Sequence, residues 1–296
     1  SIIKKSIFKK NITVFGSTTY KNILSKNYVN IKLDKNIFSS QTKTYLQNFK
    51  KFLKNKETDL IEIHNRPNYV DFLIDLKKKI VLYFHNDPTT MLGSSNVSDR
   101  IKLVKLCSRI IFNSNWSKKK FLTNLPTNLH NSKKLLVIYQ STDRKNINLK
   151  KKEKIITFVG KLNSSKGYDI FGKAVLKILN EFPNWKAIAI GNEPREKFIF
   201  KHKNFKILDW LQHKKILGYY SRASISVVPS RWQEPFGRTS MESAAYGCAT
   251  ITSKNGGLPE TFKNPIFLKS VNANEVYIYI KKLIKNYKKR FKIQKN

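Results

Sequence analysis

Ser230-Arg231-Trp232-Gln233-Glu234-Pro235-Phe236-Gly237-Arg238-Thr239-Ser240-Met241-Glu242 is the stretch that decides the fold of this 296-residue chain. The apolar run before it, 223–228, reads as a fully buried strand. Pro229 and Pro235 forbid a continuous helix across the stretch, and Gly237 permits a tight turn. From Arg238 the pattern is helical, with Met241, Ala244, Ala245 and Cys248 on one face and Gly247 as the stop. The resulting unit is strand, charged loop, helix. Glu234 falls in the loop and Glu242 about one turn into the helix, so both carboxylates can face one cleft beyond the strand. A helix opened by Gly237-Arg238-Thr239 also offers unpaired N–H groups, a natural seat for phosphate.

Working outward, strands are expected at 12–15, 60–63, 80–84, 109–112 and 135–139, with helices at 43–55, 70–76, 97–107 and 115–122 between them. A second series begins with strands at 155–159, 185–190, 205–208 and 224–228, followed by shorter ones at 249–252 and 266–268. Helices at 166–182, 213–220 and 238–247 alternate with these, and a last helix runs from 274 to about 291. Such alternation argues for an α/β protein with parallel sheets covered on both faces. The lysine-rich, apolar-poor segment 145–154 marks a boundary. Residues 1–150 then form an N-terminal domain, 151–272 a C-terminal domain, and 273–296 a closing helix.

Bulk composition fits a folded chain, with 40% hydrophobic and 12% aromatic residues. The longest apolar runs are far too short to cross a bilayer, and no secretory signal is visible. Cys107 and Cys248 lie in apolar surroundings and suggest neither a disulfide framework nor a metal site, which points to a reducing cytosol. The formal charge of +39 raises the question of nucleic acid or an anionic membrane. Residues 1–150 carry 29 Lys/Arg against 9 Asp/Glu, and residues 151–296 carry 29 against 10. Charge spread this evenly speaks for compositional drift toward lysine over a dedicated nucleic-acid arm. Attraction to an acidic membrane surface is a secondary expectation.

In open parallel sheets ligands bind beyond the carboxyl ends of the strands. Four such ends carry polar loops in the second half: Gly160-Lys161-Leu162-Asn163-Ser164-Ser165-Lys166-Gly167, Gly191-Asn192-Glu193-Pro194, the Glu234 loop, and Ser253-Lys254-Asn255-Gly256-Gly257-Leu258-Pro259-Glu260. Two lysines five apart beside glycine turns could grip a diphosphate.

Together, Gly160-Lys161 with Lys166-Gly167, the E-x7-E pair Glu234 and Glu242 around Pro235-Phe236-Gly237, and Gly256-Gly257-Leu258-Pro259-Glu260 carry a resemblance. Over most of 155–262 the chain resembles the donor-binding domain of the retaining glycosyltransferases of family 4. That family has the GT-B architecture of two facing Rossmann-like domains. The resemblance implies that Lys161, which stands where the family usually has Arg, and Lys166 neutralise a donor diphosphate. Glu242 would accept from ribose hydroxyls and Glu234 would hold the transferred sugar. Gly160 and the amides near Phe236, Gly237 and Arg238 would approach sugar or phosphate, and the base would lie near Trp210-Leu211. His85, directly after the strand at 80–84, resembles the cleft histidine set against the transferred sugar; His64 is the competing candidate. Of the catalytic group, then, His85, Glu234, Lys161 and Lys166 are expected, with no metal and no cofactor beyond the nucleotide-sugar co-substrate.

The family usually opens on a strand and a glycine-rich loop, and none stands near Ser1, so either the start is missing or the first domain is reduced. Gln140-Ser141-Thr142-Asp143 likewise replaces the usual Asn-Gly turn. The implied function is transfer of a sugar to a hydroxyl of a cell-envelope glycan or lipid-linked acceptor. The implied place is cytoplasmic, at most peripheral on the inner membrane face. Two rivals remain: a basic nucleic-acid-binding protein, and a truncated, inactive glycosyltransferase that still binds nucleotide. Plainer roles compete residue by residue, Glu242 as a helix-surface acid, Arg238 as a salt-bridge partner on its own helix, and Trp210 as packing.

Overall fold

The computed structural model describes residues 6–19, 26–33, 40–54, 56–143 and 147–295. Ser1 and part of the expected linker, 144–146, lie outside them. Packing divides the chain into two compact units, each made of several segments. One comprises Ser1–Tyr83, Thr89–Ile110 and Leu125–Lys134; the other comprises Phe84–Pro88, Ile111–Asn124 and Leu135–Asn296. The sequence suggests instead a single cut near 150. The difference has a physical cause: Ser114 and Ser117 donate to the carbonyl of Pro235, so 111–124 packs with the second half.

In the first unit β1 (Val14–Gly16) pairs in parallel with β2 (Tyr28–Asn30). Helix α1 (Gln41–Leu53) is capped by Ser40 and buries Leu46 and Phe49. Strand β3 (Leu60–His64) precedes the single α-turn α2 (Val70–Leu73), where the sequence suggests a longer helix; short 3-10 turns flank it. β3 pairs in parallel with β4 (Lys79–Phe84), and α3 (Val97–Leu106) follows. β5 (Arg109–Phe112) follows in the chain, then α4 (Asn115–Leu122) and β6 (Leu135–Val137), which belong to the other unit; the strand order is β3-β4-β5-β6.

The second unit contains β7 (Glu153–Val159), α5 (Tyr168–Glu181), β8 (Lys186–Ile190), β9 (Phe205–Leu208) and α6 (His213–Arg222). It continues through β10 (Ala223–Val228), α7 (Arg238–Ala245), β11 (Ala249–Thr252), β12 (Ile266–Phe267), α8 (Ala273–Lys285) and α9 (Tyr287–Gln294). The sheet order is β12-β11-β10-β7-β8-β9, all parallel. Successive strand residues face opposite ways, and both faces are apolar. Ile156, Phe158, Ala187 and Ala189 pack under α5 and α8 through Phe171, Ile178, Val276 and Ile280. Ile155, Ile188 and Ile190 pack on the other side with Tyr220, Tyr246 and Cys248.

The sequence suggests one long final helix crossing back to the first domain. Two helices stand there. Asn286 ends α8, and its side chain accepts from Lys289 N at 2.8 Å to start α9. The Arg290 guanidinium lies over the Trp185 ring at 5.3 Å, and the Gln294 amide donates to Ser224 O at 3.2 Å, which seats α9 on the second unit. Among the described residues no helix is long and apolar enough to cross a membrane, and both cysteines are free and buried.

Candidate active site

Beginning at β7, chain order runs outward to β8 and β9 on one side and to β10, β11 and β12 on the other. The reversal falls between β7 and β10, and in such sheets the crevice beyond the strand ends opens at that switch point. The β7 loop carries Lys161 and Lys166, and the β10 loop carries Glu234. The structure brings two of these together: Lys166 Nζ lies 2.6 Å from Glu234 Oε1. Ser230 Oγ donates to the same oxygen at 2.9 Å. Backbone bonds hold the two loops side by side, since the amides of Arg231 and Trp232 both donate to Ser165 O at 2.9 Å. Asn163 Oδ1 accepts from Lys166 N at 3.0 Å and fixes the lysine's backbone.

Glu234 is also gripped from below. Its backbone bridges Gly256, and the Gly257 amide donates to Glu234 O at 2.6 Å. Gly256 has φ +69, and a Cβ there would stand 2.1 Å from Glu234 O. Only glycine fits that approach.

Glu242, one turn into α7, is the most enclosed of the candidate acids, with its side chain 6% exposed. Arg238 Nη2 donates to its Oε1 at 2.8 Å, an i,i+4 pair. His213 Nε2 lies 3.0 Å from the same oxygen. Burial raises the Tyr220 phenol well above its ordinary value, and the Glu242 charge adds to that rise. Buried charge of this kind requires compensation, and the arginine and histidine supply it.

Lys161 is not drawn into the Lys166–Glu234 pair. The register pairs Val159 with Ile190, so Gly160 stands level with Gly191 and Lys161 with the loop that follows. That loop holds Glu193, whose side chain is 4% exposed and takes Arg195 Nε at 2.6 Å and Arg195 Nη2 at 2.8 Å. The Arg195 hydrogen bonds, outweighing partial burial, hold the Glu193 carboxyl down at about 2, with the exposed Lys161 adding a smaller pull.

The remaining expected residues sit as follows. Phe236 is buried with its ring 6.1 Å from Tyr139, and Gly237 precedes α7 as its N-cap. Trp210 is 55% exposed, and Leu211 packs against the apolar face under α6. His85 Nδ1 is 3.2 Å from the Gln140 amide, and Asn113 donates to its backbone carbonyl. His64 pairs with Glu62 at 2.7 Å in the other unit. Sequence reasoning passes over His213 and Asn113. It also passes over Glu260 as the cap of α4, whose carboxylate accepts from Asn115 N and Trp116 N at 2.7 and 2.8 Å. Among the described residues no group of three or more His, Cys, Asp or Glu is gathered as metal ligands would be.

The family profile of the glycosyl transferases group 1 matches residues 140–296. The chain belongs to that family. Among group 1 relatives and similar proteins, spore coat protein SA of Bacillus subtilis (strain 168) is 26% identical over 247 residues, covering 71% of this chain and 64% of that one. An uncharacterized glycosyltransferase of Methanocaldococcus jannaschii, MJ1607, is 30% identical over 146 residues, covering 47% of this chain and 35% of its own length. The chain thus spans less than two thirds of either curated relative. Among solved structures, Anabaena Alr3699/HepE in complex with UDP-glucose superposes with a TM-score of 0.65 at 18% identity, covering 86% of this chain and 76% of that one. Sucrose-phosphate synthase from Thermosynechococcus elongatus superposes with a TM-score of 0.69 at 15% identity, covering 95% and 81%. These likenesses give this group 1 chain the GT-B fold.

Proposed function

We propose that the chain is a retaining glycosyltransferase of the family 4 type. It moves a sugar from a nucleoside-diphosphate donor to a hydroxyl of a cell-envelope glycan or lipid-linked acceptor. The observation that carries this is the 2.6 Å pair of Lys166 and Glu234 at the switch point of a group 1 chain. The UDP-glucose held by HepE supports a nucleotide-sugar as donor. The charge of +39 supports peripheral contact with an anionic membrane face.

In this reading Lys166, with Lys161 nearby on the same loop, neutralises the diphosphate, and Glu234 holds hydroxyls of the sugar. Glu242 takes the ribose, Trp210 and Leu211 flank the base, and His85 faces the sugar. Gly160 and the backbone of Phe236, Gly237 and Arg238 border the phosphates. The bond from the anomeric carbon to the diphosphate oxygen breaks, and the acceptor oxygen bonds to the same face of that carbon. The acceptor's proton leaves with the diphosphate. Negative charge grows on the departing group, where a fixed ammonium and the α7 N-terminus stabilise it most. Because Lys166 is already shared with Glu234, one cation links the sugar-holding acid to the developing charge. The reading assigns no cofactor; the nucleotide-sugar is a co-substrate.

A panel of UDP-, GDP- and ADP-sugars, assayed for diphosphate release with a hydroxyl acceptor, tests the proposal. Proton NMR of the product's anomeric centre tests retention. Turnover of one donor with retained configuration is expected. Inverted configuration, or nucleotide binding with no transfer from any donor, would overturn it.

A further inference from the structure

The Glu242 carboxylate is bonded asymmetrically. Both of its donors, Arg238 Nη2 at 2.8 Å and His213 Nε2 at 3.0 Å, lie on Oε1. Among the described residues no donor is placed on Oε2. An ionised carboxylate has about four lone-pair sites, so a buried one with a single occupied oxygen presents the other as a fixed acceptor. A guanidinium left to itself prefers to fork across both oxygens of a carboxylate. Here it does not, and the imidazole is the group that competes with it for Oε1.

His213 is well placed for that task. It is the first residue of α6, two residues after Leu211, which packs against the apolar face of the sheet. Its side chain is 53% exposed, so it contributes little to the core. Arg238 lies on the same helix as the acid and can swing with it, whereas His213 reaches across from another element, 29 residues earlier in the chain. The other titratable groups felt here are the phenols of Tyr220, raised by burial and then by the Glu242 charge, and of Tyr246, raised by burial, then by Asp143 and then by Glu242.

We propose that His213 is a positioning and specificity-determining residue for the donor: by pinning Oε1 it keeps Arg238 single-handed and reserves Oε2 for the vicinal hydroxyls of a ribose. Selection of ribonucleotide over its 2′,3′-dideoxy counterpart then depends on His213. This rests on the reading of Glu242 as the ribose acceptor given above. Loss of the imidazole lets the guanidinium close on both oxygens and takes away the acceptor a diol needs.

The test is calorimetry on the full chain with whichever of UDP, GDP and ADP binds tightest, and with the 2′,3′-dideoxy form of the same diphosphate. The variants are H213F, which keeps a ring without the donor, H213Q, which keeps an N–H donor, and E242A. H213F is expected to weaken the ribose ligand about tenfold, the scale of one charge-assisted hydrogen bond. It should leave the dideoxy ligand within twofold of the wild type, and H213Q should recover most of the loss. In turnover, H213F should raise KM for the donor with kcat nearly unchanged, the mark of lost uniform binding. Equal weakening of both ligands by H213F, or no weakening of either while E242A weakens binding, overturns the role of His213 alone. Failure of all three diphosphates to bind the wild type, or unchanged binding to E242A, overturns the ribose reading and this inference with it.

Discussion

Glu234 and Glu242 are separated by one short loop and are held in opposite ways. Glu234 sits on irregular backbone, and its partners are a hydroxyl, Ser230, and a cation, Lys166, that the proposed chemistry itself requires. Glu242 sits on a helix, and its partners Arg238 and His213 hold one oxygen only. On the proposed reading the first acid is tied to the charge that changes during reaction, whereas the second is held in place by Arg238 and His213. The difference predicts that damage around Glu234 appears in turnover and damage around Glu242 in binding.

Lys166→Ala gives the sharpest version of that split. On the proposed reading it removes the ammonium from the departing diphosphate, and it leaves the Glu234 carboxylate with Ser230 alone. By analogy with removal of an oxyanion donor, about 2.7–4 kcal/mol of barrier is lost, on the order of 10²–10³ in kcat. Single-turnover kinetics at saturating donor should show it, with a much smaller change in diphosphate affinity. A loss confined to KM would break the comparison. Glu242→Ala comes next and should do the reverse. Losing charge-assisted hydrogen bonds to ribose weakens diphosphate binding about tenfold to a hundredfold by calorimetry. Turnover at saturating donor should fall far less.

What the sequence discloses and what it hides divide along the same line. The strand–loop–helix unit is legible because Pro229, Pro235 and Gly237 punctuate an apolar run, and local chain chemistry dictates the result. The pairing of Lys166 with Glu234 follows once β7 and β10 are neighbours, since each residue lies in the loop that leaves the carboxyl end of its own strand. His213 is invisible because its partner lies across a helix–helix contact, and no periodicity in the chain encodes that. Lys161 looks equivalent to Lys166 by spacing, yet the Val159–Ile190 register sets it level with the loop that holds Glu193, where it adds only a small pull on that carboxyl. Tyr28–Asn30 is too short to show a period, and the break at Asn286 falls where the amphipathic pattern gives way to a lysine-rich run that still reads as helix.

Gly256→Ala probes the platform under Glu234 and leaves Glu242 untouched. The new Cβ would need φ +69 and would meet the Glu234 carbonyl at 2.1 Å, so the 234 loop must move. A cost of about 2–4 kcal/mol in stability is expected, read as a Tm lowered by several degrees. Turnover should fall while diphosphate affinity holds, because Glu242, the proposed ribose acceptor, stands on α7. Equal losses in both would mean that the two acids are not independently mounted.

Glu193 supplies a third arrangement and the smallest effect. Its charged partner, Arg195, is two residues away on its own loop and mostly exposed, so the ion pair is local, although Asn163 Nδ2 also donates to Glu193 at 3.5 Å. Arg195 holds its carboxyl at about 2, below the ordinary 4.5. A depressed carboxylate contributes stability that is fully present above its unfolded value and is lost as pH falls through the folded one. The contribution should therefore be intact at neutral pH and disappear between about pH 4.5 and about pH 2. Arg195→Ala should return the Glu193 carboxyl toward its ordinary range in a carbon-detected NMR titration. It should narrow the stability gap between neutral and acid pH, with diphosphate affinity at pH 7 changed by less than about threefold, as for other screened surface pairs. A larger change at pH 7 would place Arg195 on the ligand and make Glu193 a third acid of the site, held like Glu242 by an arginine.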